Sequence, residues 1–185
     1  MDAKPAAQAP PVVPRSRWTE NLRDGTNVVI RTLSRVDGNR ERAFLESLSP
    51  QTLRFRFLGQ VHRPSEALIA SLTDIDMQRD VALAAVVAND ADQRILGVAR
   101  YSAEETGQRC ECAVTVLDDW HRRGLGTTLM RHLIEMAKAN GIAEMYSIDS
   151  AENTEMAELA RFLGFSRELD PEDATQVVHR LVLAE

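Results

Sequence analysis

The sequence predicts a mixed α/β domain of the α+β kind, with a central, mostly antiparallel sheet flanked by helices. Three observations predict it. Apolar, β-branched runs of strand length alternate with amphipathic helical stretches, an order that builds a sheet covered by helices. The 185 residues are a single-domain length with material for a sizeable core. Finally, a strand, a turn carrying Gly124-Leu-Gly126 and a long amphipathic helix follow one another from Val114 to Asn140.

The elements are justified in order. Residues 1–17 hold Pro5, Pro10, Pro11 and Pro14 among alanines, with almost no core-forming residue before Val12. Such a composition cannot offset the entropy of ordering, so a flexible tail is expected there and one domain over 18–185. Val28 to Leu33 reads as a strand, and Val36 to Leu48 as a helix turning Leu45 and Leu48 inward. Ser49-Pro50 supplies an N-cap and a proline at the first helical position, starting a short helix through Phe57. A further helix is expected from Ser65 to Leu72, then strands at 81–88, 95–102 and 109–117. The helix from Leu125 carries Leu129, Leu133 and Ala137 at four-residue spacing, an apolar stripe that ends before Gly141. Residues 176–183 alternate as a last strand.

The turn before that helix is where chemistry is expected. Free backbone N–H groups at a helix N-terminus, the positive end of its dipole, and Arg122 and Arg123 together make an anion site. Two glycines let a phosphate approach the backbone closely. A P-loop is excluded because no lysine lies between Arg123 and Lys138. The dinucleotide fingerprint fails because its third glycine would fall at Leu129. By themselves, two glycines at a strand-to-helix turn serve the turn as readily as a ligand.

The flanking residues are more specific. His121-Arg-Arg-Gly-Leu-Gly126 follows a hydrophobic strand; after the helix come Gly141, Met145-Tyr-Ser-Ile148, Asn153 and Leu159-Ala-Arg-Phe-Leu-Gly-Phe165. This succession resembles the GNAT superfamily of N-acetyltransferases, whose signature is Gln/Arg-x-x-Gly-x-Gly/Ala after a strand. Upstream, Leu22–Arg31, Leu48–Phe57 and Gly97-Val-Ala-Arg100 look like the GNAT domain of bacterial protein-lysine acetyltransferases, so the likeness spans about residues 21–168. The resemblance implies a GNAT fold and acetyl-CoA as co-substrate. Its pyrophosphate would sit on Arg122, Arg123, Gly124, Leu125, Gly126 and Thr127. Its pantetheine arm would lie along the backbone of Val114, Thr115 and Val116, with Asn153 nearby. Two positions depart from the family pattern: His121 stands where Gln or Arg is usual, and Arg122 where the residue is often small.

An amine acceptor needs a base. A lysine amine with a pKa near 10.4 is neutral in only about one molecule in a thousand at pH 7.4. Glu111 lies inside the otherwise apolar Cys110-Glu-Cys-Ala-Val114, where a glutamate either faces solvent on an open sheet or is placed for function. The resemblance favours function, since related lysine acetyltransferases carry a general-base glutamate there. Glu104, Glu105 and Glu152 are the fallback bases. The tyrosine that many GNAT enzymes use as general acid is replaced by Ala160, and Tyr101 and Tyr146 are expected to pack. CoA thiolate, with a pKa near 8.5, leaves tolerably without a dedicated acid. The expected reaction is therefore direct amine attack in a ternary complex, with the N–H of Val114 or Val116 polarising the thioester carbonyl.

Strand periodicity puts Cys110 and Cys112 on the face opposite Glu111, toward the core. Two cysteines without a histidine pair make no zinc site, and no metal is expected. Trp120 is expected to anchor the turn, His62, His132 and His179 to be structural or solvated, and Arg54 and Arg56 to lie on different faces of their helix.

A net charge of −6 argues against a nucleic-acid partner, which needs a basic face. No apolar run approaches the roughly 20 residues that span a bilayer, and no signal peptide is evident, so no membrane partner and a cytoplasmic location are expected. The segment from Leu48 to Asp80 should form the acceptor side of the cleft, where Glu66, Asp74, Asp76 and Asp80 either make it acidic or are ordinary surface charge. The expected acceptor is protein lysine. Polyamine or aminoglycoside acceptors, a non-catalytic acetyl-CoA sensor and a homodimer stay open at this point.

Overall fold

The computed structural model describes residues 17–59, 63–76 and 79–183. The expected tail lies outside these apart from Arg17, as does His62. Strands β1 (Arg17–Asn21) and β2 (Asn27–Thr32) form a hairpin. The sequence reading missed β1 because its residues, exposed and half-buried by turns, lack a strong apolar face. A single 3-10 turn (Arg35–Asp37) then leads into α1 (Gly38–Glu46). That start is later than the expected Val36, which stands 80% exposed, because the Asp37 carboxylate closes a capping box with Ser34. Leu45 and Leu48 are buried as expected.

Helix α2 (Pro50–Phe57) begins as the sequence dictates: the Ser49 hydroxyl accepts from the Thr52 amide at 3.2 Å, with proline at the first position. Then come α3 (Glu66–Thr73), β3 (Asp80–Val87), β4 (Ile95–Ala103), β5 (Arg109–Val116) and α4 (Leu125–Ala139). The chain finishes through β6 (Glu144–Ser150), α5 (Thr154–Phe162), β7 (Ser166–Leu169) and β8 (Gln176–Val182). Strand β7 was also missed; all four of its residues are exposed.

The eight strands form one sheet in the order β1-β2-β3-β4-β5-β6-β8-β7, antiparallel except where β5 runs parallel to β6. Helix α4 covers one face. Its stripe Leu125, Leu129, Leu133 and Ala137 is at most 1% exposed, and Leu129 packs against Gly97, where a Cβ would come within 3.1 Å. Helix α5 joins it on that side, with Leu159 against Gly126.

The opposite face carries α1 and α2, and ion pairs hold it. Arg31 donates to both Asp37 oxygens, at 2.7 and 2.9 Å. Arg100 of β4 donates to Glu41 of α1 at 3.0 Å. No helix among the described residues is long and apolar enough to cross a membrane.

Candidate active site

Strands β5 and β6 pair for three residues only: Arg109 with Glu144, Cys110 with Met145, and Glu111 with Tyr146. Beyond Glu111 they part in the middle of the sheet. Glu104 donates to the Arg109 carbonyl and Leu117 to that of Leu96, so the odd-numbered residues of β5 turn their backbone groups toward β4. The even-numbered Cys112, Val114 and Val116 therefore turn theirs into the opening. Thr115 pairs with Val98 of β4, and its hydroxyl is buried without a hydrogen-bond partner.

The opening leads to the turn before α4. Arg122 holds φ +61 and Gly124 φ +88, the left-handed region that costs a residue with a Cβ about 1–2 kcal/mol. Among the described residues, the amides from Arg122 through Thr127 find no acceptor. Six donors in succession at a helix N-terminus, with two left-handed residues among them, form a concave nest for an anion.

The two arginines of this turn differ in their partners. Arg123 is committed to structure: it bonds Asp24 at 3.1 Å and the Asp119 carbonyl at 3.0 Å, and lies over the Trp120 ring. Trp120 thus anchors the turn as expected. Arg122 remains 86% exposed, 3.8 Å from Glu155. His121 bridges the opening, its Nε2 on the Val116 carbonyl at 3.0 Å and its Nδ1 on Glu155 at 2.9 Å. Both partners are oxygen atoms, one of a backbone carbonyl and one of a carboxylate. Asn153 uses its side-chain oxygen to cap α5 through the Met156 amide at 3.1 Å, which leaves its amide group free to donate.

Glu111 points to the α1–α2 side and is exposed in a cleft of about 270 Å³. Asp74, Ile75 and Asp80 from the expected acceptor segment line this cleft, with Arg56 of α2 and Arg100 of β4. Glu66 turns away to pair with Arg42 at 2.6 Å. Among the fallback bases, Glu104 pairs with Arg109 and Glu152 with Arg54.

Two arginines of the cleft were not singled out as site residues in the sequence. Arg100 interrupts an apolar strand just as Glu111 does, and that signal was available. Arg56 was hidden by helical spacing: Arg54 reaches the surface while Arg56 turns inward. Burial pulls the Arg56 guanidinium down to about 10, with the Arg100 charge adding to the effect and Glu41 and Glu111 opposing it.

Cys110 and Cys112 face the core, 0% and 2% exposed. Burial pushes the Cys110 thiol up to about 12 and the Cys112 thiol well above its ordinary value. Neither supplies a thiolate, so a covalent acetyl-cysteine has no support here. Tyr101 is buried and accepts from Asn140 at 2.7 Å; Tyr146 lies under Arg109. His132 stacks on Trp18 and bonds Glu20, and His179 bonds Asp149. Among the described residues no group of three or more His, Cys, Asp or Glu could hold a metal ion.

Residues 46–165 match the model of the Acetyltransferase (GNAT) family. Acetyltransferase PA5475 of Pseudomonas aeruginosa is 49% identical over 166 residues, 90% of this chain and 89% of that protein. The crystal structure of the GNAT domain of S. lividans PAT is similar in fold, with a TM-score of 0.83 at 22% identity over 90% of this chain and 97% of that one. A cAMP-binding acyltransferase from Mycobacterium smegmatis matches with a TM-score of 0.64 at 21% identity, over 92% of this chain and 48% of that one.

Proposed function

The chain belongs to the GNAT family of acetyltransferases, and from that premise we propose that it acetylates protein lysine, using Glu111 as general base. The observation that carries the reading is the parting of β5 from β6 directly beyond Glu111. It leaves one opening with a carboxylate at its inner end and the free amides of residues 122–127 at its mouth.

Acetyl-CoA supplies an activated acyl thioester. The amides from Arg122 to Thr127 are suited to its pyrophosphate, with the exposed Arg122 adding charge. The backbone groups of Val114 and Val116 are suited to the amide-bearing pantetheine arm, as a strand pairs with an extended peptide. The His121 bond occupies the Val116 carbonyl, so the Val114 carbonyl and the two N–H groups are what remain to that arm. Asn153 lies at the far end of β6 with its amide unspent.

Glu111 takes the proton from the acceptor ammonium, directly or through water. The neutral amine attacks the thioester carbonyl, the N–H of Val114 or Val116 stabilises the developing oxyanion, and CoA thiolate departs. Ala160 is buried and offers no proton, so water supplies the last one.

The test is CoA thiol release on lysine peptides, polyamines and aminoglycosides, comparing wild type with Glu111→Gln. Lysine peptides are the expected substrates, and the variant should lose about 10²- to 10⁴-fold in kcat/KM while its affinity for CoA holds. An unaffected variant would overturn Glu111 as base. Tight CoA binding without turnover on any amine would favour a sensor instead.

A further inference from the structure

The charges of the cleft do not balance within the protein. Arg100 is already paired, with Glu41 at 3.0 Å and the Leu72 carbonyl at 3.1 Å. Asp74 is held by Arg35 at 2.7 Å. That leaves Glu111, Asp80 and Arg56, whose side chains make no hydrogen bond or ion pair among the described residues. Glu41 and Glu111 act on Arg56 through space, and its closest aromatic companion is the Phe57 ring at 4.9 Å.

The Arg56 guanidinium, half-buried at the wall of the cleft, carries five N–H donors that no group of the described residues meets. Its planar fork is matched by a carboxylate, two parallel bonds at once. Two carboxylates and one unmet guanidinium facing the same cleft are complementary to a molecule that bears both charges. Resting on the reading of this cleft as the acceptor site, we infer that the acceptor carries a carboxylate close to its reactive amine, and that Arg56 holds it. The amine end goes to Glu111 and Asp80. A cleft of about 270 Å³ has room for a group of amino-acid size. The carboxylate can come from an acidic residue beside the target lysine or from the α-carboxyl group of a free amino acid.

Two matched pairs separate these sources: one lysine peptide with Glu or Gln next to the lysine, and free lysine against lysinamide. Affinity is read by calorimetry in the presence of CoA, and turnover by thiol release. Wild type should favour the carboxylate-bearing member of one pair by about tenfold or more, and that pair identifies the source. The ratio should fall toward one in Arg56→Gln and be partly restored in Arg56→Lys. A ratio near one in both pairs for wild type would overturn the inference, as would a preference that survives Arg56→Gln in a folded protein. Thiol release without preference would overturn the inference alone. A preference in affinity with no release from any substrate would uphold it and overturn the transfer reading.

Discussion

Asp37 keeps a full charge in the interior, 0% exposed. Desolvation pushes its carboxyl up, but Arg31, the Ser34 amide and Arg40 together outweigh burial and hold it below the usual value of 3.8. The folded-state value is therefore the lower of the two, so the pair's stabilisation is complete above 3.8 and lost as pH falls through the depressed value. Asp37→Asn should cost about 3 kcal/mol at pH 7, because it leaves Arg31 without its counter-charge. Chemical denaturation at pH 7 and near pH 3 should show the gap to wild type narrowing in acid. A gap that widens would mean the carboxyl is not held ionised. Asp37 could not be read from the sequence, since a lone aspartate before a helix looks like a surface cap. Glu111 could, because strand alternation sets it apart from Cys110 and Cys112 on either side.

At the level of the element, the turn into α4 concentrates the backbone constraint. Gly124 at φ +88 has only Arg23 side-chain atoms nearby, at 3.6 Å or more, so space is not what requires glycine there. The conformation is. Gly124→Ala should cost about 1–2 kcal/mol of stability and weaken CoA binding by a larger factor than it slows turnover at saturating CoA. A variant with wild-type CoA affinity would show that the nest does not depend on this φ. The Ser-Pro start of α2 and the leucine stripe of α4 were legible because local chemistry fixes them. Strands β1 and β7, at the two edges of the sheet, were not, because pairing with a neighbour holds them rather than any pattern of their own.

Over the whole molecule, the order of elements was readable and the opening between β5 and β6 was not. Each strand is defined by its own residues, but where two strands stop pairing depends on a partner some 35 positions away. Binding to the folded state alone should raise stability by about 2.7 kcal/mol at CoA concentrations of 100 Kd. For a chain of this size that is about 5–10 °C in Tm, measurable by thermal shift; no shift at saturating CoA would exclude the opening as its site. An unpaired strand at the rim of a sheet invites the strands of other chains and, with them, aggregation. Here the unpaired backbone of β5 lies inside the sheet, while β1 and β7 form its outer edges. The slot is walled by β6 on one side and joined at its inner end, a shape suited to a slender extended molecule. The backbone offered for recognition is thereby set apart from the outer edges of the sheet, where the strands of other chains would add.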